Sequence, residues 1–180
     1  MALPQTIDRL IEIYGEKAYT TAYNLAGNEP DARDLVQETF LRIIHKAELC
    51  DPAFDFGGWL HRILFRVYLN RRRSEARRRE IPLELVSDDR PVNTFEHMAD
   101  PAESPENIME RSELRDRIFK ALDGLEPAMR ACVVLVDIER RNYEEAAAIL
   151  NWPVGSVAGR LFRARRLLRG TLGRIEGDDI

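Results

Sequence analysis

Hydrophobic residues recur along most of the chain at intervals of three and four positions, which is the spacing of one face of an α-helix. Three such stripes occupy the first part of the sequence and begin near Ile7, Leu35 and Trp59. Gly27 and Asn28 separate the first two stripes, because glycine favours the end of a helix and asparagine the start of one. Short connections join the stripes, so the pattern predicts a compact three-helix unit over residues 1–79.

A second group of amphipathic segments follows in the last part of the chain. Ser104 and Pro105 form a helix-start signal, and the next apolar stripe consists of Leu114, Ile118, Ala121, Leu122 and Leu125. The segment CVVLVDI, residues 132–138, is predicted to be central to a small core, and its periodicity is compatible with a helix or a buried strand. A short helix and a long arginine-bearing helix complete a second unit, residues 109–180.

The segment between the units, residues 80–108, is predicted to be an acidic flexible linker. It holds four of the nine prolines, and eight acidic residues stand against one arginine. A solvated tether and a segment that binds in a groove are both compatible with this composition. The predicted fold class is therefore all-α, with two small helical domains joined by the linker.

Basic charge is concentrated on both sides of the linker. A net charge of −4 and a pI near 5.5 would oppose nucleic-acid binding if the charge were evenly spread. However, residues 70–79 contain six arginines and one glutamate, and residues 153–175 contain six arginines and no acid. Two such basic patches are typical of a chain that binds nucleic acid.

The sequence pattern predicts no membrane association. Charged residues interrupt the apolar positions near the N-terminus, and no run of about 18 apolar residues occurs, so neither a signal peptide nor a membrane span is expected. The two cysteines, Cys50 and Cys132, form no disulfide framework. We therefore expect a cytoplasmic protein without direct membrane contact.

Residues 143–169, YEEAAAILNWPVGSVAGRLFRARRLLR, have the organisation of a helix-turn-helix. Asn151 suits a left-handed turn residue, Pro153 stops the first helix, and Ser156 is the predicted cap of the second. Val157 and Leu161 are predicted to point inward. The side chains expected to face outward are Arg160, Phe162, Arg163 and Arg166. Arginines bind phosphates and guanine edges, although a solvated basic hairpin would have the same pattern.

Three segments together resemble the extracytoplasmic-function (ECF) sigma factors, the minimal promoter-specificity subunits of bacterial RNA polymerase. Residues 26–44, AGNEPDARDLVQETFLRII, resemble the second conserved region of that family. Residues 57–73, GGWLHRILFRVYLNRRR, resemble its Trp-Leu-x-Arg-Ile helix, and residues 122–169 resemble its fourth conserved region. The resemblance covers about residues 7–170 in the family's order and spacing.

This resemblance implies three binding surfaces. A polar face of the second helix would dock on the clamp helices of the polymerase β′ subunit through Asp34, Gln37, Glu38 and Arg42. The third helix would contact the −10 element through Trp59, Arg62, Arg66, Asn70, Arg71 and Arg72. A loop over residues 50–58 would receive a flipped base beside it. The last helix would contact the −35 element through Ser156, Arg160, Phe162, Arg163, Arg165 and Arg166.

Several positions qualify the assignment. Arg66 stands where the family commonly has asparagine, which implies a stronger phosphate contact and less base selectivity. At positions 158 and 159 the family usually has Lys or Arg, followed by Ser. Here these positions are Ala158 and Gly159, whose side chains cannot hydrogen-bond a base. Base contacts would then move to Phe162 and Arg163, or recognition would rest on DNA shape. A lone Trp59 on an apolar face is more often a core residue than a DNA contact.

The sequence indicates no catalytic chemistry. The three histidines show no metal-ligand spacing, and no Ser/His/Asp set or glycine-rich phosphate loop occurs. We therefore predict no catalytic residue, no metal and no cofactor. Oxidation of Cys50 in the candidate base-binding loop is a minor alternative.

The function implied by the resemblance is promoter-specific transcription initiation, with core RNA polymerase (β′ and β subunits), promoter DNA and an anti-sigma factor as partners. One alternative is a sigma-factor mimic, which titrates an anti-sigma factor without initiating transcription; Arg66, Ala158 and Gly159 favour it. Another is a helix-turn-helix repressor, which would need a dimer interface that the sequence does not show. An enzyme is the least supported class.

Overall fold

The computed structural model describes residues 3–45, 56–79 and 105–175, and these ranges are helical with no strand among them. Seven α-helices and one π-helical turn occur in this order: α1 (Leu3–Ala26), α2 (Glu29–His45), α3 (Phe56–Arg79), α4 (Pro105–Asp123), α5 (Pro127–Val133), the π-turn (Val134–Ile138), α6 (Tyr143–Leu150) and α7 (Val154–Ile175). The all-α prediction is confirmed. The predicted linker, except its last residues, and most of the predicted base-binding loop lie outside the described residues.

The break between α1 and α2 follows from the residues that the sequence placed there. Gly27 has φ +83°, a left-handed conformation that favours glycine and ends α1. Asn28 caps α2, because its Oδ1 accepts a hydrogen bond from the backbone N–H of Asp31 at 2.9 Å. Both predicted roles are confirmed, and the tight connection places α1 and α2 side by side.

The first unit packs α1, α2 and α3 around a common apolar core. The fully or nearly fully buried side chains include Ala18, Ala22, Leu25, Leu35, Phe40, Ile43, Leu60, Leu64 and Phe65. The predicted apolar stripe of α1 is buried only in its second half, since Ile11 is 45% exposed. Thr39 also faces inward, and its hydroxyl donates to the Leu35 carbonyl at 2.7 Å, so its polar group is satisfied.

The second unit contains α4 to α7, and its central apolar segment is helical. Residues 132–138 belong to the end of α5 and to the π-turn, so the strand alternative is wrong. Helix α4 begins at Pro105, inside the range predicted as linker. Leu114 and Ile118 of α4 are exposed although their spacing predicted burial; the inward positions of that stripe are Ala121, Leu122 and Leu125.

The two units share one continuous core, which the prediction of separate domains did not include. Helix α3 packs against α5 and α6, and α1 contacts the π-turn. Arg130 of α5 lies at this junction and is 2% exposed. Its Nε donates to the Asn24 carbonyl of α1 at 3.0 Å, and its guanidinium pairs with Asp123. The rings of Tyr23 and Phe119 also meet edge to face across the junction at 5.1 Å.

Candidate functional site

The helix-turn-helix is built from α6, α7 and a tight turn between them. Asn142 and Glu145 form a capping box at the start of α6: each side chain accepts a hydrogen bond from the other residue's backbone N–H. Asn151 ends α6 with φ 55° and ψ 47°, which confirms the predicted left-handed turn. The sequence analysis missed the capping box, although its Asn-x-x-Glu spacing is a readable signal.

Helix α7 has one buried face and one exposed basic face. Val157, Leu161 and Ala164 are fully buried against the rest of the second unit. Phe162 is 65% exposed, and Arg163 and Arg166 are exposed beside it. An aromatic side chain of this size exposed to water on a basic helix is an unusual feature, and it points to a binding surface rather than to packing.

Ser156 is not the cap of α7, contrary to the prediction. The helix begins at Val154, and the backbone N–H groups of Ser156 and Val157 both point to the Pro153 carbonyl. Proline is compatible with this place because its own nitrogen has no proton to donate. Ser156 therefore lies in the first turn, where it is half-buried.

Two of the predicted −35 residues, Arg160 and Arg165, contact side chains outside α7. The guanidinium carbon of Arg160 lies 4.6 Å from the centre of the Trp152 ring, and its Nη1 donates to the Ser156 carbonyl at 3.2 Å. Arg165 forms a two-pronged ion pair with Asp137 of the π-turn, at 2.5 and 3.2 Å. Hydrogen bonding from Asp137 raises the pKa of Arg165 further above its already high value.

The surface of α7 is open at Gly159, whereas the neighbouring Ala158 is half-buried. A Cβ built on Gly159 has no atom of another element within 4 Å, so the absence of a side chain there is not required by packing within the described residues. The backbone of Gly159 accepts a hydrogen bond from Arg163 Nε at 3.4 Å. The small residues therefore lower the profile of α7 next to the exposed Phe162 and Arg163.

Helix α3 presents several of the predicted −10 residues on one side. Arg66 and Asn70, one helical turn apart, are both exposed, and Arg62 is half-buried. Arg71 and Arg72 are held in ion pairs with Glu75, at 3.5 and 3.1 Å. To bind a DNA phosphate, each of these two arginines would have to break its ion pair with the Glu75 carboxylate.

Trp59 is part of the core of the first unit. It is 7% exposed, and its ring packs edge-on against Phe56 at 5.8 Å. Phe56 in turn contacts Tyr14 of α1 at 4.9 Å. This burial favours the core interpretation of Trp59 over stacking on DNA.

The predicted polymerase surface is an exposed polar face of α2. Asp34, Gln37 and Glu38 are exposed or partly exposed along it. Glu38 pairs with Arg42 at 2.5 Å, and Asp34 lies 3.6 Å from Arg71 of α3. The predicted polymerase surface and the basic end of α3 therefore share a border that the linear sequence does not reveal.

Metal-ligand groups, cysteines and membrane spans were searched for in the described part of the chain. No cluster of His, Cys, Asp or Glu there has the composition of a metal site. Burial raises the pKa of Cys132 to about 11, so this thiol stays protonated and unreactive at neutral pH. None of the described helices is both long enough and apolar enough to cross a membrane. Cys50 lies outside the described residues.

Comparison with known proteins matches two regions of the chain. Residues 10–78 match Sigma-70 region 2, and residues 115–168 match Sigma-70, region 4. The ECF RNA polymerase sigma factor SigE of Mycolicibacterium smegmatis is 38% identical over 167 residues, which are 93% of this chain and 62% of the relative. The sigma-E factor of Haemophilus influenzae is 30% identical over 142 residues, 79% of this chain and 75% of the relative. The chain thus spans less than two thirds of the mycobacterial protein.

Two solved structures have a similar fold. The sigma factor RpoE of Bartonella quintana, solved with the anti-sigma factor NepR, aligns over 94% of this chain and 98% of its own, with a TM-score of 0.67 and 23% identity. CnrH, solved with the cytosolic domain of CnrY, aligns over 94% and 89%, with a TM-score of 0.63 and 25% identity. The sequence relatives and both matched regions lead to one conclusion: the chain belongs to the ECF RNA polymerase sigma factors.

Proposed function

We propose that this chain is the promoter-specificity subunit of a bacterial RNA polymerase, acting in the cytoplasm. The polar face of α2 binds the β′ subunit, and the second unit contacts β. Helix α3 contacts the −10 element, and α7 lies in the major groove at the −35 element. The chain contributes binding only, and the polymerase forms the phosphodiester bonds.

The observation that carries this proposal is the exposed face of α7. Residues 153–175 contain six arginines and no acid, and the inward positions Val157, Leu161 and Ala164 are buried in the core. A cationic helix behind a tight turn has the shape and the charge for the major groove. Arg163 is placed to bind phosphate or a guanine edge, and Phe162 to contact a thymine methyl group.

The first unit supports the proposal through a different kind of surface. Along α2, acidic and basic side chains alternate and pair with each other, which suits contact with a protein more than with a polyanion. Arg66 and Asn70 on the neighbouring α3 are exposed and have the donors that a DNA strand requires. The shared border at Asp34 and Arg71 would bring polymerase and DNA together.

Control by an anti-sigma factor is part of the proposal. RpoE of Bartonella quintana was solved with the anti-sigma factor NepR, and this chain has the same fold over nearly its whole length. The exposed apolar side chains of α4, Leu114 and Ile118, provide surface that such a partner could cover.

The direct test is transcription in vitro with purified core polymerase and a library of promoter fragments. We expect transcripts that start at defined positions and that depend on the added chain. Failure to direct initiation from any fragment would contradict the proposal.

A sigma-factor mimic is the second candidate, and the open surface at Gly159 favours it. Tight binding to an anti-sigma factor together with absence of transcripts would establish the mimic. Binding to DNA as a dimer, without any affinity for core polymerase, would instead indicate a repressor.

A further inference from the structure

A tryptophan occupies the turn between α6 and α7. Trp152 follows the left-handed Asn151, and its backbone N–H donates to the Ala147 carbonyl at 3.0 Å, so the turn fixes the position of its backbone. The side chain packs against the shared core and remains half-buried. A ring held in this way is a rigid support for a side chain that lies on it.

The side chain on this ring is Arg160. Its guanidinium carbon lies 4.6 Å from the centre of the Trp152 ring, which is within the range of a cation–π interaction. Its Nη1 also donates to the Ser156 carbonyl one turn earlier, at 3.2 Å. Two contacts of different kinds therefore fix a guanidinium that would sample many rotamers on an open surface.

Contact with the ring leaves most of the N–H donors of Arg160 available. Attraction to an aromatic face depends on the positive charge and does not consume N–H groups. Among the described residues, the Ser156 carbonyl is the only hydrogen-bond acceptor for Arg160, and no carboxylate pairs with it. The Nε and Nη2 atoms of Arg160 are accessible to water. They can therefore donate to a ligand without breaking a contact within the protein.

Arg165 of the same helix shows the effect of a different partner. Its guanidinium pairs with both oxygens of Asp137, which fixes it but also neutralises its charge. The Trp152 ring fixes Arg160 and leaves its positive charge uncompensated. A fixed cation with free donors, on a helix that contains no acid, has the properties required to bind a phosphate.

We propose that Trp152 is a positioning residue for promoter binding, and that its ring holds Arg160 where this guanidinium meets a phosphate of the −35 duplex. The proposal rests on the proposed function, because it takes α7 as the helix that binds DNA. A guanidinium that is already fixed loses less side-chain entropy on binding. The contribution of Trp152 to affinity therefore depends on Arg160, and Trp152 itself needs no contact with DNA.

The test is a double-mutant cycle in the full-length chain. Affinity for a mixed-sequence duplex of about 20 base pairs is measured by fluorescence anisotropy at low salt, because a phosphate contact does not depend on base sequence. Trp152→Leu, which keeps an apolar side chain in the turn, should weaken binding about fivefold, and Trp152→Phe, which keeps a ring, about twofold. Arg160→Ala should weaken binding about tenfold. Adding Trp152→Leu to Arg160→Ala should cause no further loss.

The matched control is a cycle with Arg163, an exposed arginine of the same helix whose contact within the described residues is with the Gly159 carbonyl. The effects of Trp152→Leu and Arg163→Ala should multiply, because these two side chains act independently. Helix content and thermal unfolding of every variant are followed by circular dichroism, so that each affinity refers to folded protein.

Fluorescence of the free chain tests the contact without DNA. Because the chain has two tryptophans, Trp59→Phe leaves Trp152 as the only one. In that chain, Arg160→Ala should shift the emission of Trp152 to longer wavelength, because the ring loses its covering guanidinium and gains contact with water.

An equal loss of affinity from Trp152→Leu in the wild-type and Arg160→Ala chains would assign Trp152 to folding of the turn and overturn the proposal. Unchanged affinity after Arg160→Ala, or unchanged emission of Trp152, would also overturn it. Absence of transcripts with core polymerase would instead contradict the proposed function. Neither the cycle nor the fluorescence measurement depends on transcription, so the two failures are distinguishable.

Discussion

The charged surfaces of the two units differ in how their charges are balanced. On α2 and α3, candidate binding residues pair with neighbours of opposite charge, as Glu38 does with Arg42 and Arg72 with Glu75. Helix α7 contains no acid, and among its described side chains only Arg165 reaches a carboxylate elsewhere. A surface of paired charges favours a partner with a complementary pattern of charge. An unbalanced basic surface binds any polyanion, and sequence specificity then depends on additional contacts to the bases.

The largest expected effect tests whether the two units are one folding unit. Leu161→Ala in α7 and Leu64→Ala in α3 each remove a fully buried side chain from the shared core. Each should lower the free energy of unfolding by about 2–5 kcal/mol, because the cavity is only partly refilled. Urea denaturation followed by circular dichroism should give one cooperative transition for both variants. Two separate transitions, with only one shifted in each variant, would show that the units fold independently.

The next effect tests the paired surface. Asp34→Lys together with Glu38→Lys replaces two carboxylates that pair with Arg71 and Arg42, and should weaken binding to core polymerase about thirtyfold or more. Glu12→Lys with Glu16→Lys makes the same change on exposed positions of α1 and is the control. Binding is measured by fluorescence anisotropy, with helix content checked in parallel. Equal affinities for the two double variants would remove the face of α2 from the polymerase interface.

A smaller effect tests the unbalanced surface. Arg163→Ala should weaken binding to a −35 duplex by about 1–3 kcal/mol and reduce the dependence of affinity on salt. Arg169→Ala removes the same charge from the same helix, at an exposed position outside the predicted contact set. Titrations of the −35 duplex at several salt concentrations distinguish the effect of Arg163→Ala from that of Arg169→Ala. If both substitutions reduced affinity equally, α7 would act only as a diffuse positive charge.

The smallest effect concerns the gap in α7. Gly159→Ala should stabilise the chain by up to about 1 kcal/mol, because alanine favours a helix and its Cβ meets no neighbouring element. Gly155→Ala in the first turn also enters open space and should stabilise less, since that turn has fewer intrahelical hydrogen bonds. Thermal unfolding of both variants measures the two changes in stability. If Gly159→Ala lowered the stability of the chain, the position would require the backbone conformation of glycine, even though space for a side chain is available.

Local signals in the sequence predicted the helices well, because each depends on near neighbours. Gly27, Asn28 and Asn151 have the backbone conformations or caps that their residue types favour. The inward positions Val157 and Leu161 followed from helical periodicity alone. The predicted start of α7 is three residues late, since proline and serine both fit a helix start and only the three-dimensional structure distinguishes them.

Features that depend on distant residues were not predictable in the same way. Glu139 contacts Thr21 and His61, which are 118 and 78 positions away in the sequence. No local pattern near any of these three residues indicates the contact. The sequence analysis excluded metal-ligand spacing for the three histidines, and no pattern in the sequence indicated the carboxylate beside His61. The exposure of Leu114 and Ile118 was missed for a related reason: periodicity shows that a helix has an apolar face, and not how far along its length that face is covered.

The π-turn at Val134–Ile138 has a consequence for how the chain tolerates change in length. This wider turn directs Asp137 to Arg165 of α7, while Glu139 points to Thr21 and His61 of the other unit. Deleting one residue here would rotate the following side chains by about 100°, so both carboxylates could not keep their partners. One residue more or fewer in this turn would therefore break at least one of these two contacts, whichever residue types the turn contains.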